Sequence, residues 1–263
     1  MAAYDGSHSA TSDPSDVLFT KVMSAPLSIF LLCVVAAFIQ RSIGFGFGIF
    51  IMTMLPYLMP SYGEATTFSG IMALLSSIAI AWKSRHITPW RKMWVVLIAF
   101  FIVSWFFVAI VSTAPSAILK KILGAMLVIA VIWFAFISKH ITVRPTIGTQ
   151  LTVGALSGVM GGLFGMQGPP VILYFLSCTS SNKSYMALAQ TYFVIGNLIM
   201  TVFRATHGML TPTVGISCLY GLPGIIIGAY LGMKASSHIS HSLLRTIVNI
   251  YIALSGIVAL ITS

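Results

Sequence analysis

Two glycine-rich stretches set in apolar sequence hold the residues best suited to chemistry. The first is Gln40–Leu55, QRSIGFGFGIFIMTML, with Gly44, Gly46 and Gly48. The second is Gly161–Leu176, GGLFGMQGPPVILYFL, with Gly165, Gln167 and Gly168. Glycine lets a backbone bend sharply and leaves its amide N–H groups uncovered. An apolar helix follows each turn, so the partly positive N-terminus of that helix faces the turn. Such a terminus is a ready anion site. Pro169 and Pro170 suit the first helical turn, where a missing N–H costs nothing, and Gln167 adds a neutral donor. The chemistry implied is reversible anion binding by neutral donors. A plainer use of the same glycines is close helix packing, and the matching of two turns favours the binding site.

Arg41 and Ser42 precede the first turn. An ionisable residue inside a membrane is costly and marks a functional site; a bound anion would offset the cost. The alternative is an interfacial arginine snorkelling to headgroups. Polar residues recur at seven-residue spacing as Ser69, Ser76 and Lys83 in one segment and as Gln190, Asn197 and Arg204 in another. Seven residues is close to two helical turns, so each set forms a stripe. Such stripes face the bundle interior or a water path, or serve as hydrogen-bond glue; Arg204 also suits a helix-end anchor at the outer interface. Glu64, the single acid outside the N-terminal tail, begins a helix that its carboxylate would cap; proton coupling is its other reading. The expected substrate contacts are therefore Arg41, Ser42, Gly44, Gly46, Gly48, Ser69, Gly165, Gln167, Gly168, Gln190, Asn197 and Arg204, with no catalytic residue. Cys33, Cys178 and Cys218 are scattered and read as packing residues. The histidines do not cluster with acids, so neither metal nor cofactor is expected.

The elements that must position these residues are membrane helices. Of 263 residues, 58% are hydrophobic and 7% charged, against about 25% charged in a soluble domain. Apolar runs of about 20 residues, enough to span a bilayer, recur along the chain, and the alternation of a β-barrel is absent. The class is an all-α polytopic membrane protein. A net charge of +10 would suggest nucleic acid in a soluble chain. Here the basic residues sit mostly in loops, where they set topology and touch anionic lipid. The lipid bilayer, not nucleic acid, is the expected partner. Residues 1–23 are polar, hold Asp5, Asp13 and Asp16, and read as a mobile tail rather than a signal peptide. Residues 24–263 read as one transmembrane domain.

Helices are expected over Ala25–Ile39, Ile49–Leu58, Glu64–Trp82, Met93–Ser112 and Ala117–Ile137. The order repeats over Thr149–Met160, Val171–Cys178, Tyr185–Ala205, Thr213–Leu231 and Leu243–Thr262. One constant offset superposes Gly44 on Gly165, Ser69 on Gln190, Ser76 on Asn197, Lys83 on Arg204 and His86 on His207. The chain therefore reads as a duplicated unit, repeat one 24–138 and repeat two 148–263. Each repeat is a short broken or re-entrant helical hairpin followed by three transmembrane helices. An odd number of passes inverts the second repeat about a pseudo-two-fold axis in the membrane plane. Lys83, Arg85, Arg91, Lys92, Lys139, Arg144, Lys183 and Lys234 collect on one side. That side is cytoplasmic by the positive-inside rule, which leaves both termini outside.

The turns GFGFG and GMQGPP, each in an apolar hairpin near the start of a half, resemble those of the TauE/SafE sulfite exporter family, also called the toluene-sulfonate uptake permeases. The likeness extends over about residues 25–262 and includes the run GLPGIIIGAYLG. The family's usual turn is GxGGG, and the carry-over rests on Gly44, Gly46, Gly48, Gly165 and Gly168. The resemblance implies a secondary transporter of the bacterial cytoplasmic (inner) membrane for sulfite, an organosulfonate such as sulfoacetate, or a related sulfur anion. Voltage favours export, since moving one negative charge out of a negative cytoplasm is downhill by about 2.3 kcal/mol per 100 mV. The alternative is a membrane-embedded enzyme or assembly factor in sulfur or cofactor metabolism. It would show paired acids, clustered histidines or a cysteine at a helix end in a catalytic setting. A cation carrier would want carboxylates, and Glu64 alone is available. The oligomeric state stays open, a homodimer included.

Overall fold

The computed structural model describes residues 14–132, 144–235 and 241–262. The first part of the expected tail and most of the expected connector between the repeats lie outside the described residues. Those described form α1 (Pro14–Ile43), α2 (Phe47–Ile51), α3 (Leu55–Leu58), α4 (Tyr62–Ser84), α5 (Trp94–Thr113), α6 (Ser116–Ile132), α7 (Ile147–Phe164), α8 (Gly168–Cys178), α9 (Asn182–Thr206), α10 (Pro212–Ala235) and α11 (His241–Thr262). No strand occurs among the described residues. Six helices, within α1, α4, α5, α7, α9 and α10, are long and apolar enough to cross a membrane. The protein is an all-α, multi-pass membrane protein.

Two elements differ from their sequence expectation. Helix α1 starts at Pro14 rather than Ala25, so the boundary expected near residue 24 falls inside a helix. Polarity marks the end of an apolar run, not the end of a helix, and proline is tolerated at the first helical position. The single helix expected over Ile49–Leu58 is two pieces, α2 and α3. Pro56 has no N–H for the carbonyl one turn back, so the helix cannot run through. The Thr53 hydroxyl instead donates to the Phe50 carbonyl at 2.7 Å.

Glycine sets the tightest packing. Gly154, Gly158 and Gly162 of α7 lie against the carbonyls of Val96, Phe100 and Ser104 in α5. Gly224, Gly228 and Gly232 of α10 lie against those of Phe30, Val34 and Phe38 in α1. Lipid tails are as apolar as the helices, so close backbone packing must supply the association that water supplies elsewhere. In both pairs the residue numbers rise together, so α1 runs parallel to α10 and α5 parallel to α7. The pairs α4–α9 and α6–α11 are antiparallel. Arg204 meets Thr66 while Thr191 meets Thr88, and Gly124 meets Ala259 while Val128 meets Gly256. These four are the most extensive helix contacts. The set is unchanged when α1, α4, α5 and α6 are exchanged with α7, α9, α10 and α11.

The same registers place the turns. Helices α4 and α10 start together, where the Thr211 hydroxyl donates to Glu64 at 2.5 Å, and Gly221 lies against Phe68 and Met72 further along. Helices α1, α4 and α10 therefore point one way. Residues 44–61, with α2 and α3, must carry the chain back. Ring contacts from Phe100–Tyr192 to Trp105–His207 likewise set α9 parallel to α5 and α7, so α8 carries the chain back in the second half.

Candidate functional site

The two glycine turns meet. A methyl group placed on Gly48 would lie 2.8 Å from the Gly165 carbonyl oxygen. Gly44, Gly46 and Gly165 have φ of 93°, 104° and 68°, a left-handed backbone that side chains disfavour. Where the turns touch they enclose a pocket of about 30 Å³, lined by Gln40, Gly46–Ile49, Ala73, Gly165–Gly168, Phe193 and Asn197. Ala73 is midway along α4, and Phe193 and Asn197 flank the midpoint of α9. The pocket thus lies at mid-depth of the bundle. Its volume suits about two waters, so the turns must part to admit an anion.

Helix α8 starts at the pocket. Its first turn opens with Gly168, Pro169 and Pro170, and the two prolines have no N–H, so the Gly168 N–H remains as a donor. At its far end the Lys92 ammonium donates to the Cys178 carbonyl and neutralises the negative end of the dipole. Gln167 is the N-cap residue, 4% exposed, and neither its Nε2 nor its Oε1 has a partner. The amide rests against Gly196, where any side chain would displace it. The Ser69 hydroxyl is also buried without a partner, one turn from Ala73. The expectation of two matching half-helices needs correction. Helix α2 is five residues long, so the first turn has little helix dipole behind it.

A hydrogen-bonded layer closes one side of the pocket. Gln40 Nε2 donates to Ser77 Oγ at 2.8 Å and to Gln190 Oε1 at 3.2 Å, and Gln190 Nε2 donates to the Gly44 carbonyl at 2.7 Å. Gln190 therefore sits behind the lining. Gln40 and Ser77 were not among the expected contacts; an amide inside an apolar helix beside Arg41 was the available signal. Ser42 points to the Gly232 carbonyl at 3.5 Å, and Arg41 lines a separate, larger cavity.

Arg204 is not an anchor at the interface. It is 1% exposed and donates to the carbonyls of Thr66 at 2.9 Å and Gly161 at 2.7 Å, while its Nε has no partner. A methyl group on Gly70 would lie 3.2 Å from Arg204 Nη1 and 3.8 Å from Asn197 Oδ1, so the guanidinium sits beneath the pocket floor. Glu64, the one acid whose side chain is described, is engaged elsewhere. It completes a capping box with Ser61, both bonds at 3.1 Å, and accepts from Thr211. No carboxylate among the described residues neutralises Arg204, and a buried charge left so is costly.

The sulfite exporter TauE/SafE family matches residues 29–259 of this chain. The probable sulfite/organosulfonate exporter TauE of Cupriavidus necator is 24% identical over 204 residues, 75% of this chain and 78% of that protein. No solved structure matches. Since the match runs from α1 into α11 and takes in both glycine turns, the chain belongs to the sulfite exporter TauE/SafE family.

Proposed function

We propose that the chain is a secondary transporter that exports a small sulfur-containing anion, sulfite or an organosulfonate such as sulfoacetate, across the cytoplasmic membrane. The observation that carries the reading is Gln167. Its buried amide has no partner and lines a mid-depth pocket at the start of α8. A buried donor left unpaired costs about 1–3 kcal/mol, a cost that an anion's oxygen would remove. The N–H groups of Gly168 and the first turn, with the Asn197 amide, supply further neutral donors. Arg204 adds one formal charge from below. Neutral donors hold an anion without the depth of an ion pair, so the anion can leave.

The helix pairing supports inverted repeats. If the two-fold axis lay along the helices, α4–α9 and α6–α11 would be parallel; both are antiparallel, as an axis in the membrane plane requires. The basic side chains of Arg41, Lys83 and Lys183 gather at one end of the bundle, which the positive-inside rule makes cytoplasmic. The start of α1 and the end of α11 then face outward. Glu64 is occupied as a helix cap, which favours voltage-driven uniport over proton coupling through that residue. The reading agrees with the family and with the name of the Cupriavidus necator relative. In the test, purified protein in liposomes loaded with radiolabelled sulfite, sulfoacetate or taurine should release at least one of them faster than protein-free liposomes. Gln167→Ala should slow that release about tenfold or more. Wild-type release equal to that of protein-free liposomes for all three would remove the reading.

A further inference from the structure

A second cavity, of about 670 Å³, opens at the end of the bundle that carries the basic residues. Its lining includes Arg41 of α1, Ser76 and Lys83 of α4, and Asn182, Lys183 and Met186 of α9. Three cations from three helices thus share one concave surface. No carboxylate among the described residues lines it, and Glu64 lies at the opposite end of α4. A cleft lined by one sign of charge focuses the field and concentrates counter-ions by about 10- to 1,000-fold.

Only one layer of side chains separates this cavity from the pocket between the turns. Met186 lines the cavity, and its sulfur stands over Gly44. The Gly44 carbonyl accepts from Gln190, Gln190 accepts from Gln40, and Gln40 lines the pocket. On α4, Ser76 faces the cavity and Ala73, one turn away, faces the pocket.

The geometry points to this cavity as an anion-capture vestibule on the cytoplasmic side, gated by the Met186–Gln190–Gln40 layer, that selects among organosulfonates by the charge they carry besides the sulfonate. This inference rests on the export reading above. A sulfonate that bears a carboxylate is drawn in by Arg41, Lys83 and Lys183. One that bears an ammonium group is repelled by the same three cations. The vestibule is large enough for the carbon skeleton of a sulfonate, whereas the pocket beyond it must open to receive the head. Selection by net charge therefore happens before the tight contacts of the pocket form.

Two measurements test the proposal. In proteoliposomes at low salt, kcat/KM should fall in the order sulfoacetate, methanesulfonate, taurine, with a spread of about tenfold or more. High salt should compress the spread, because mobile ions that reach an open cavity screen its charges. The double substitution Lys83→Gln, Lys183→Gln should compress it too, through KM more than kcat. An unchanged spread in that variant would overturn the proposal. The second measurement needs no transport. With Cys178 and Cys218 replaced by serine, Ser76→Cys should react about tenfold or more faster with a sulfonate-bearing methanethiosulfonate than with its trimethylammonium analogue. Lys83→Gln, Lys183→Gln should shrink that ratio. Equal rates for the two reagents refute the vestibule while leaving export intact. Absence of flux for every anion refutes export, and the thiol rates then decide the vestibule alone.

Discussion

Gly196→Ala separates the proposed binding role of Gln167 from any role in folding. A methyl group at Gly196 would collide with Oε1 of Gln167 and lie 2.9 Å from its Cδ and Nε2, where ordinary contact begins near 3.4 Å. The amide must therefore retreat by about 1 Å or more, the shift being set by its oxygen. It is the far end of a flexible side chain, so it swings away while α9 stays in place. Alanine is also the better helix former by about 1 kcal/mol, which keeps the protein folded. The substitution thus removes one donor from the pocket without touching Gln167 itself. A hydrogen bond to a charged partner contributes about 1.5–3 kcal/mol, equivalent to about 10- to 150-fold in anion affinity. The assay is the KM for sulfite or sulfoacetate efflux from proteoliposomes in wild type, Gly196→Ala, Gln167→Ala and the double variant. Both single changes delete the same donor, so the double variant should match either one. The coupling energy of the cycle should then equal the single effect. A wild-type KM in Gly196→Ala, or additive losses in the double variant, would refute the placement of Gln167 in the binding pocket.

Further outcomes follow from packing and capping. Gly228→Val puts a branched side chain on the Val34 carbonyl and forces α1 from α10. The overpacking cost is about 1–3 kcal/mol, read as a lower Tm in detergent, while Gly215→Val, with nothing within 4 Å of the added carbon, should leave Tm unchanged. Glu64→Gln keeps an acceptor for Ser61 and Thr211, so efflux should respond to an imposed pH gradient as in wild type; a lost response in a folded variant would assign proton coupling to Glu64. Glu64→Ala should cost about 1 kcal/mol of stability through the broken cap.

Much of the site could be read from residue types. The two glycine turns stood out because glycine and proline interrupt sequence that is otherwise apolar, and Asn197 and Gln190 because polar side chains are rare there. Arg41 and Arg204 could not be ranked the same way. Arg41 is adjacent in sequence to the first turn but lines the separate, larger cavity, while Arg204, far from both turns in sequence, lies under the pocket floor. The difference depends on which neighbour each helix packs against. Gln40 was missed because its partners, Ser77 and Gln190, come from two other helices.

Composition and pattern together determined the class, since so few charges among so many apolar residues leave lipid as the solvent, and apolar runs of about 20 residues without alternation satisfy their backbone as helices rather than as a closed barrel. The punctuation of glycine and proline determined that both halves are interrupted. Tertiary structure alone decided that the two interruptions touch, that the second half's glycines bring α7 and α10 onto the backbones of α5 and α1, and that the first turn leads into a single helical turn rather than a half-helix. Those outcomes depend on contacts between residues far apart in sequence, and local pattern carries no information about which apolar face meets which.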